Sequence, residues 1–295
     1  MIDYRLLEAF AMVVQEGGFE KAATSMNLTQ SAVSQRVKLL EERAGKILLS
    51  RAAPPKPTAD GELLLKHFLQ VKLLEDGLTA EMGSSKTVER VKLSVAINAD
   101  SLASWFIHAT GPLFNNGELL IDLHVDDQEQ THKLLKEGVV AGCISDKASA
   151  IQGCRVEYLG TMTYRLLATR TFIQRWFPNG LQQPELENAP AVIFNRKDAL
   201  HHKSLKQVSG KSTKLQAIHY VPAPEQFLQM ISAGYAYGMV PDWQSEALRK
   251  SGELVEIHEK ANAEVKLYWH CWNLTSAPLQ TFSKRLVKEA KQLLS

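Results

Sequence analysis

EKAATSMNLTQSAVSQRVKLLEERA, residues 20–44, is the stretch that decides the fold of the first part of this chain. Its small and apolar residues recur at helical spacing on both sides of the turn Asn27-Leu28-Thr29, so two short helices are predicted there. Thr29 suits the N-cap of the second helix, because its hydroxyl can accept a hydrogen bond from a free backbone N–H group. Two helices joined by so short a turn form a helix-turn-helix, which places its second helix in the major groove of DNA.

The two helices are predicted to have distinct faces. In the first, over 19–26, Ala22 and Ala23 are small enough to let the next helix cross closely. The positions of the second helix that share the inward spacing are Val33, Val37, Leu40 and Ala44. Its other face carries short polar side chains that can reach base edges, and Gln30 and Gln35 are the leading candidates for base contacts. A polar surface helix without a DNA partner is the alternative.

Positive charge is concentrated beside this motif. The net charge of the whole chain is only +2, but 29–58 holds six basic and two acidic residues, a local balance of +4. Residues 46–58 are predicted to form a short strand followed by a loop, which the prolines within 54–57 keep extended. This loop is predicted to be a wing along DNA, with Arg51 and Lys56 near phosphates or the minor groove. The candidate DNA contacts are Thr29, Gln30, Ser31, Ser34, Gln35, Lys38, Arg51 and Lys56.

Two further helices flank the motif. Apolar spacing predicts an amphipathic helix over 3–15 that stops at Gly17-Gly18. Thr58 is the predicted N-cap of a long helix over 59–82, which has more apolar side chains than a solitary helix could leave in water. We expect this helix to pack against a copy of itself, so that a dimer presents two DNA-binding motifs. A core helix of a single domain is the alternative. A hinge is predicted at 83–86.

The remainder of the chain is predicted to be α/β, because strand and helix patterns alternate. Helices are predicted at 102–114, 129–137 and 279–293. Strands are predicted at 91–97, 119–125, 139–144, 165–168, 191–194, 215–219, 238–240 and 267–272.

Length and composition limit the class of protein. A chain of 295 residues suggests about two domains. The sequence shows neither a signal peptide nor an apolar run long enough to span a bilayer, so we expect a soluble intracellular protein without a membrane partner. Cys143, Cys154 and Cys271 are too far apart for a disulfide framework or a zinc motif, and we predict reduced, buried or half-buried thiols.

Motifs of catalysis are incomplete. Residues 209–213 imitate the end of a phosphate-binding loop, but Leu205 stands where a glycine is needed. Residues 258–259 begin like a zinc-protease helix, but Asn262 stands where the second histidine belongs. The adjacent histidines 201–202 are predicted to be a surface pair, because neighbours on a helix point apart. We therefore expect no enzyme, no metal site and no resident cofactor.

Several motifs together resemble the LysR-type transcriptional regulators: Ala22-Ala23, the run 29–35, the pair Leu39-Leu40, the Leu48-Leu49-x-Arg51 wing, and Pro57-Thr58-x-x-Gly61. The resemblance implies an α+β multi-domain chain. It comprises a winged helix-turn-helix domain (1–58), a linker and dimerisation helix with its hinge (59–88), and a periplasmic-binding-protein-like effector domain (89–295). The effector domain would have two Rossmann-like subdomains, I (89–163 and 267–295) and II (164–266).

The resemblance also implies partners. These are double-stranded promoter DNA, a second copy of the chain in a homodimer or a dimer of dimers, and RNA polymerase, all in the bacterial cytoplasm, with the regulator on the nucleoid when DNA is bound. Four stretches, 51–58, 95–103, 177–180 and 267–270, are similar to a family member that controls arginine export. This similarity implies lysine or arginine as co-effector and amino-acid export or metabolism genes as targets. The alternative is a ligand-independent architectural or replication-inhibiting DNA-binding protein.

A cleft between the two subdomains is the expected ligand site, since open parallel sheets bind ligands beyond their strand ends. Residues 98–101 join a strand to a helix, where the Ser101 hydroxyl suits a carboxylate, although a plain helix cap is the alternative. Asp126 and Asp127 could pair with a cationic side chain, unless they form a solvated acidic loop. The candidate effector contacts are Asn98, Asp100, Ser101, Asp126, Asp127, Asn195, Asp198 and Glu225.

Overall fold

The computed structural model describes residues 2–50, 52–82, 90–115, 117, 119–126, 128–211 and 213–294. The chain begins with three helices, α1 (Tyr4–Gln15), α2 (Phe19–Ser25) and α3 (Gln30–Ala44). They enclose an apolar core to which α1 contributes Phe10, which is fully buried. These bounds confirm the predicted helix-turn-helix and the amphipathic helix before it.

Helix α3 begins and ends as its sequence requires. The Thr29 hydroxyl accepts a hydrogen bond from the backbone N–H of Ala32 at 3.2 Å, which confirms the predicted N-cap. At the other end Gly45 adopts the left-handed conformation, with a φ of 63°. Val33, Val37 and Leu40 are buried as predicted. The inward position predicted for Ala44 is wrong, because the last turn of the helix extends beyond the core and leaves Ala44 exposed.

The wing contains less regular structure than predicted. The short strand predicted at the start of 46–58 is wrong, since a single bridge between Leu49 and Pro57 is the pairing observed there. The N–H groups that a longer ladder would use are taken by side chains, that of Leu48 by the Glu41 carboxylate and that of Lys56 by the Ser50 hydroxyl. Thr58 closes the wing instead, because its hydroxyl donates to the carbonyl of Ile47 at 2.8 Å and its N–H to that of Leu48 at 2.9 Å. Arg51 lies outside the described residues.

The long helix α4 (Ala59–Met82) belongs to two cores. The Thr58 hydroxyl accepts from the N–H of Gly61 at 3.2 Å, which confirms this predicted N-cap. Leu65 and Phe68 pack into the core of the first three helices, whereas Leu73 is buried in the core of the following α/β domain. The hinge predicted at 83–86 lies outside the described residues.

The α/β domain is organised around a mixed sheet. Its strands in chain order are β1 (Val91–Ile97), β2 (Leu119–Val125), β3 (Gly142–Ser145), β4 (Cys154–Ala168), β5 (Ala191–Ile193), β6 (Ile218–Tyr220), β7 (Gly238–Pro241), β8 (Val255–Glu256) and β9 (Ala263–Trp272). Seven of them form one sheet in the order β2-β1-β3-β9-β4-β7, with β8 paired to β4, and β5 pairs with β6. β1, β2 and β3 are parallel, whereas β4 and β9 are antiparallel to each other.

The helices of this domain cover the sheet. They are α5 (Ala99–Ser101), α6 (Ile107–Thr110), α7 (Gln128–Glu137), α8 (Arg170–Trp176), α9 (Gln183–Asn188), α10 (Leu200–Ser209), α11 (Pro224–Ser232), α12 (Asp242–Ser251) and α13 (Ala277–Leu293). A π-helical segment, Leu102–Phe106, joins α5 to α6. The predicted helix over 102–114 therefore starts earlier and is irregular in its middle.

Two long strands connect the lobes of the domain. One lobe is built on β1–β3 and the other on β5–β8, and β4 and β9 run through both. The sequence pattern predicted only the ends of these strands, at 165–168 and 267–272. Gly160 sits at an irregularity in the β4–β9 pairing and interrupts the strand pattern of its surroundings. The strand predicted at 215–219 lies at Ile218–Tyr220. The predicted subdomain boundaries fall beside or within β4 and β9 and stay a prediction.

The three thiols fit the sequence prediction. Cys143 and Cys271 are buried and Cys154 is half-buried, and all three are free. Among the described helices, none combines the length and the apolar character needed to cross a membrane.

Candidate effector site and DNA-binding face

The candidate DNA contacts lie on one side of α3 and in the wing. Their exposed members are Thr29, Gln30, Ser31, Ser34, Gln35, Lys38 and Lys56. The Thr29 and Ser31 hydroxyls lie 3.0 Å apart. The residue that caps α3 is therefore in contact with an exposed polar residue of its first turn. Ala22 and Ala23 are buried in the core beneath α3. The side chains that pack the helix and those that could contact bases are thus on opposite faces.

A cavity of about 480 Å³ lies where the two lobes of the α/β domain meet. It opens at the carboxyl ends of β1 and β2, the position expected for a ligand site in a parallel sheet. Five of the predicted effector contacts line it, and they are Asn98, Asp100, Asp126, Asn195 and Asp198.

The other three predicted effector contacts are not among the described residues that line the cavity. Ser101 is fully buried, and its hydroxyl points to the Met162 sulfur at 3.7 Å rather than into the cavity. Glu225 is exposed to solvent, although its neighbour Pro224 lines the cavity. Consecutive residues of a helix project about 100° apart, which turns Glu225 away. Asp127 lies outside the described residues.

Several lining residues were missed by the sequence analysis. The polar ones are Asp146, Lys147, Tyr164, Lys197, Lys203 and Gln244, and the larger apolar ones are Phe194, Leu200, Phe227, Met239 and Val265. Asp146 and Lys147 follow β3 directly. The rule that pointed to Asp126 after β2, polar residues at the carboxyl end of a parallel strand, could have found them. Tyr164 lies inside an antiparallel strand, where no such signal exists.

Asp100 is the most perturbed carboxylate of the cavity. Burial raises the pKa of its carboxyl group, the hydrogen bond from the Tyr164 hydroxyl at 2.7 Å lowers it in part, and the negative charge of Asp198 raises it again. Burial and the charge of Asp100 hold the pKa of Tyr164 well above its usual range, so this phenol remains a hydrogen-bond donor. The charges of Asp100 and Asp198 therefore repel each other, and a cation placed near both would relieve the repulsion.

The wall opposite Asp100 is a loop held by its own side chains. The side-chain oxygen of Asn195 accepts from the N–H groups of Lys197 at 2.8 Å and Asp198 at 3.1 Å. One oxygen of Asp198 accepts from the N–H of Leu200 at 2.9 Å, at the start of α10. Asn195 therefore shapes the loop, and Asp198 faces Asp100 from a fixed position.

One polar atom at the cavity lacks a partner within the described part of the chain. The side-chain oxygen of Asn98 is buried and accepts no hydrogen bond there. Such an atom is costly unless a ligand or water donates to it. An ammonium or guanidinium group has the donors that it needs.

The histidine pair at 201–202 is not a surface pair, contrary to prediction. His201 is only 1% exposed, and its ring packs against Tyr237 with 5.1 Å between ring centroids. Burial, with a smaller contribution from His202, lowers the pKa of His201 to about 3, so the ring is neutral. The first turn of α10 faces the core at this position. Across the described residues, no group of three metal-ligating side chains comes together.

These features together are those of a ligand-responsive DNA-binding regulator. They are the exposed polar face of α3, the long helix α4 that is shared by two cores, and a two-lobed domain with a charged cavity. The profile of the bacterial regulatory helix-turn-helix proteins of the lysR family matches residues 4–62, and that of the LysR substrate binding domain matches residues 113–291. The chain therefore belongs to the LysR family of bacterial transcriptional regulators. The predictions of a LysR-type fold and of a regulator rather than an enzyme are confirmed.

The alignments with individual relatives cover nearly the whole chain. The HTH-type transcriptional regulator ArgP of Pseudomonas aeruginosa is 40% identical over 98% of this chain and 96% of that protein. The crystal structure of ArgP from Mycobacterium tuberculosis has a TM-score of 0.87 at 34% identity and covers 98% of both chains. Full-length LysG from Corynebacterium glutamicum with bound effector Arg has a TM-score of 0.78 at 30% identity and covers 99% of both. The resemblance to the arginine-export regulator is thereby confirmed.

Proposed function

We propose that this regulator binds arginine or lysine in the 480 Å³ cavity and changes its binding to promoter DNA in response. The observation that carries the proposal is that two carboxylates, Asp100 and Asp198, line the same cavity, and that the charge of Asp198 adds to the burial that raises the pKa of Asp100. The charge of Asp198 disfavours ionised Asp100 while the cavity is empty, so a cationic ligand gains energy there that a neutral ligand does not. The arginine bound to LysG, a relative of similar fold, supports this ligand class.

The rest of the cavity suits the rest of a basic amino acid. Its volume lies within the range of about 300–1,000 Å³ that is usual for small-ligand sites. Phe194 and Phe227 offer apolar surface to an aliphatic stem, and the ammonium groups of Lys147 and Lys203 offer charge to an α-carboxylate. The unpartnered oxygen of Asn98 can accept from an ammonium or guanidinium group.

The DNA-binding half of the proposal rests on α3 and α4. Leu63, Leu74 and Leu78 are exposed on α4 by 68%, 38% and 58%, although Leu65, Phe68 and Leu73 of the same helix are buried. Pairing of this face with a second copy would bring two α3 helices to two half-sites of promoter DNA, either in a dimer or in a dimer of dimers. RNA polymerase at the promoter, in the cytoplasm, is the further partner proposed.

Thermal melting with a panel of amino acids tests the ligand. Arginine and lysine should each raise the melting temperature, since a ligand at 100 times its Kd adds about 2.7 kcal/mol to the free energy of unfolding. Citrulline is the matched control, because it has nearly the shape of arginine and a neutral end group. Equal stabilisation by citrulline would refute a cation site. No stabilisation by any amino acid would favour the ligand-independent architectural role instead.

A second pair of variants tests the DNA contacts. Gln35→Ala should cost about 1–3 kcal/mol on DNA selected by the protein and much less on random DNA, because Gln35 is proposed to contact a base. Lys56→Ala should weaken both complexes alike and reduce the salt slope by about 1, because Lys56 is proposed to contact a phosphate. Equal losses of Gln35→Ala on both kinds of DNA would remove it from the base contacts.

A further inference from the structure

The linker helix α4 is anchored in the effector domain as well as in the DNA-binding domain. Leu65 and Phe68 complete the core of the DNA-binding domain. Two turns later, Leu73 is buried in the core of the effector domain, and the buried Ser276 hydroxyl donates to its carbonyl at 3.2 Å. A displacement of α4 against the effector domain must therefore move the DNA-binding domain with it.

A tight contact between α4 and the effector domain is at Gly138, directly after α7. A β-carbon on Gly138 would lie 2.5 Å from the Lys66 β-carbon and 2.8 Å from its α-carbon, so only glycine fits. The φ of Gly138 is +84°, which also favours glycine. The backbone after α7 rests on the backbone of α4 with no room for a side chain between them.

The other end of α7 lies beside the effector cavity. Asp126, which lines the cavity, lies two residues before Gln128, the first residue of α7. Ten helical residues span about 15 Å, so α7 reaches from this wall to the contact with α4 as one rigid element.

A second contact joins α7 to the cavity wall. The ring of His132 on α7 packs edge-on against His270, with 5.0 Å between centroids. His270 in turn hydrogen-bonds through Nε2 to the carbonyl of Lys147 at 2.7 Å. Since a carbonyl only accepts, Nε2 carries the proton and donates. Lys147 lines the cavity, so α7 is connected to the wall at two places, along the chain to Asp126 and through His270 to Lys147.

We propose that α7 transmits effector binding to the DNA-binding domain, and that the Gly138–Lys66 contact is where the displacement passes to α4. The proposal rests on the proposed function of the cavity and names its means of regulation. A ligand that draws in the wall at Asp126 and Lys147 favours one position of α7 over another. Because the contact between Gly138 and Lys66 leaves no space between the two backbones, each position of α7 corresponds to one position of α4.

A pair of glycine variants of the full-length protein tests this contact. In Gly138→Ala the new methyl group pushes α4 away, so the two DNA-binding domains of a dimer no longer match their half-sites. We expect at least a fivefold weaker Kd for DNA selected by the wild type, without any amino acid present. Gly180→Ala is the matched control, because Gly180 has the same φ of +84° but open space around its β-carbon. Its Kd should stay within twofold of the wild type.

A pair of lysine variants tests the same contact without backbone strain and covers the case in which Gly138→Ala does not fold. Lys66→Gly removes the β- and γ-carbons of the half-buried side chain that lie nearest to Gly138. Lys72→Gly, at an exposed lysine of the same helix, is the matched control for the lower helix propensity of glycine. The ratio of the DNA Kd values with and without arginine measures the response. We expect Lys66→Gly to reduce this ratio at least threefold toward unity and to bind arginine within threefold of the wild type, with Lys72→Gly unchanged.

The outcomes separate this proposal from the proposed function. If no amino acid stabilises the wild type, the proposed ligand is wrong. The comparison of Gly138→Ala with Gly180→Ala still tests the α7–α4 contact, because it is measured without ligand. Equal DNA affinity of Gly138→Ala and Gly180→Ala would overturn the role of the contact. So would a wild-type response to arginine in a folded Lys66→Gly protein.

Discussion

Asp100→Asn should make the empty protein more stable and the effector bind more weakly. The substitution keeps the shape of the side chain and an oxygen that can accept from the Tyr164 hydroxyl, which lies 2.7 Å away. It removes the charge that burial and Asp198 disfavour. In the wild type, this charge lowers the free energy of unfolding of the empty protein, because the residue is suited to binding a cation rather than to stability.

The expected loss of affinity follows from the buried charge. A hydrogen bond to a charged group contributes about 1.5–3 kcal/mol, and removal of one partner of a buried ion pair costs about 3–5 kcal/mol. Asp198 remains to share the cation, so the lower range applies, and a loss of about 2.8 kcal/mol is roughly 100-fold in Kd. At an arginine concentration 100 times the wild-type Kd, the wild type gains about 2.7 kcal/mol and the variant only about 0.4 kcal/mol.

The pH dependence has a defined sign. The pKa of Asp100 is raised above its ordinary value of 3.8 in the folded protein. Stability of the empty wild type therefore falls as pH rises from that ordinary value through the raised pKa, and stays lower above it. The variant should be the more stable protein at neutral pH, and this advantage should vanish in acid. Arginine affinity of the wild type should fall as pH drops through the raised pKa, because the protonated carboxyl no longer pairs with a cation.

Differential scanning fluorimetry over a range of pH, with and without arginine, measures the stability of the empty proteins and their stabilisation by the ligand. Isothermal titration calorimetry gives the two Kd values directly. A variant that binds arginine as tightly as the wild type would show that Asp100 is not the partner of the cation. A variant that is less stable than the empty wild type at neutral pH would show that the charge of Asp100 is compensated within the protein.

Three further outcomes follow from the fold. Thr29→Ala should lower the free energy of unfolding by about 1 kcal/mol through loss of the α3 cap, whereas Thr29→Ser should not; urea titration distinguishes them. Gly61→Ala should displace the wing and weaken DNA binding several-fold, because its β-carbon would collide with the carbonyl of Leu48. Gly111→Ala, at a helical position with open space, should leave DNA binding unchanged in the same gel-shift assay. Arg165→Met should lower the free energy of unfolding by about 3 kcal/mol, because the half-buried carboxylate of Glu256 loses its guanidinium partner and Asp242 keeps only Arg249; a melting temperature within 1 °C of the wild type would contradict this.

The DNA-binding domain could be predicted from the sequence because its signals are short-range. A cap at Thr29, small residues at 22–23 and an apolar period in α3 each depend on neighbours within four positions. The errors fall where distance matters. Ala44 continues the apolar period but lies beyond the edge of the core. The predicted strand after Gly45 is reduced to one bridge, because the side chains of Glu41 and Ser50 take the N–H groups that a longer ladder would need.

The cavity could be predicted only in part. Asn98, Asp100 and Asp126 were found because polar residues at the carboxyl ends of parallel strands lie together in any sheet of this kind. Tyr164, the hydrogen-bond donor to Asp100, was missed because its strand is antiparallel and 64 positions away. Ser101 was assigned to the ligand on the chemistry of its hydroxyl, but the rotation of the helix after β1 buries it.

The sequence by itself determined the class of this protein, since caps, periods and turn residues encode the helices and strands and their order along the chain. Only the tertiary structure decided which charges meet. The repulsion between Asp100 and Asp198, the burial of His201 and the contact of Gly138 with Lys66 each join segments that are distant in the chain or depend on how a helix is rotated against the core. A pKa or a steric fit depends on the surroundings in space, and local sequence does not specify those surroundings.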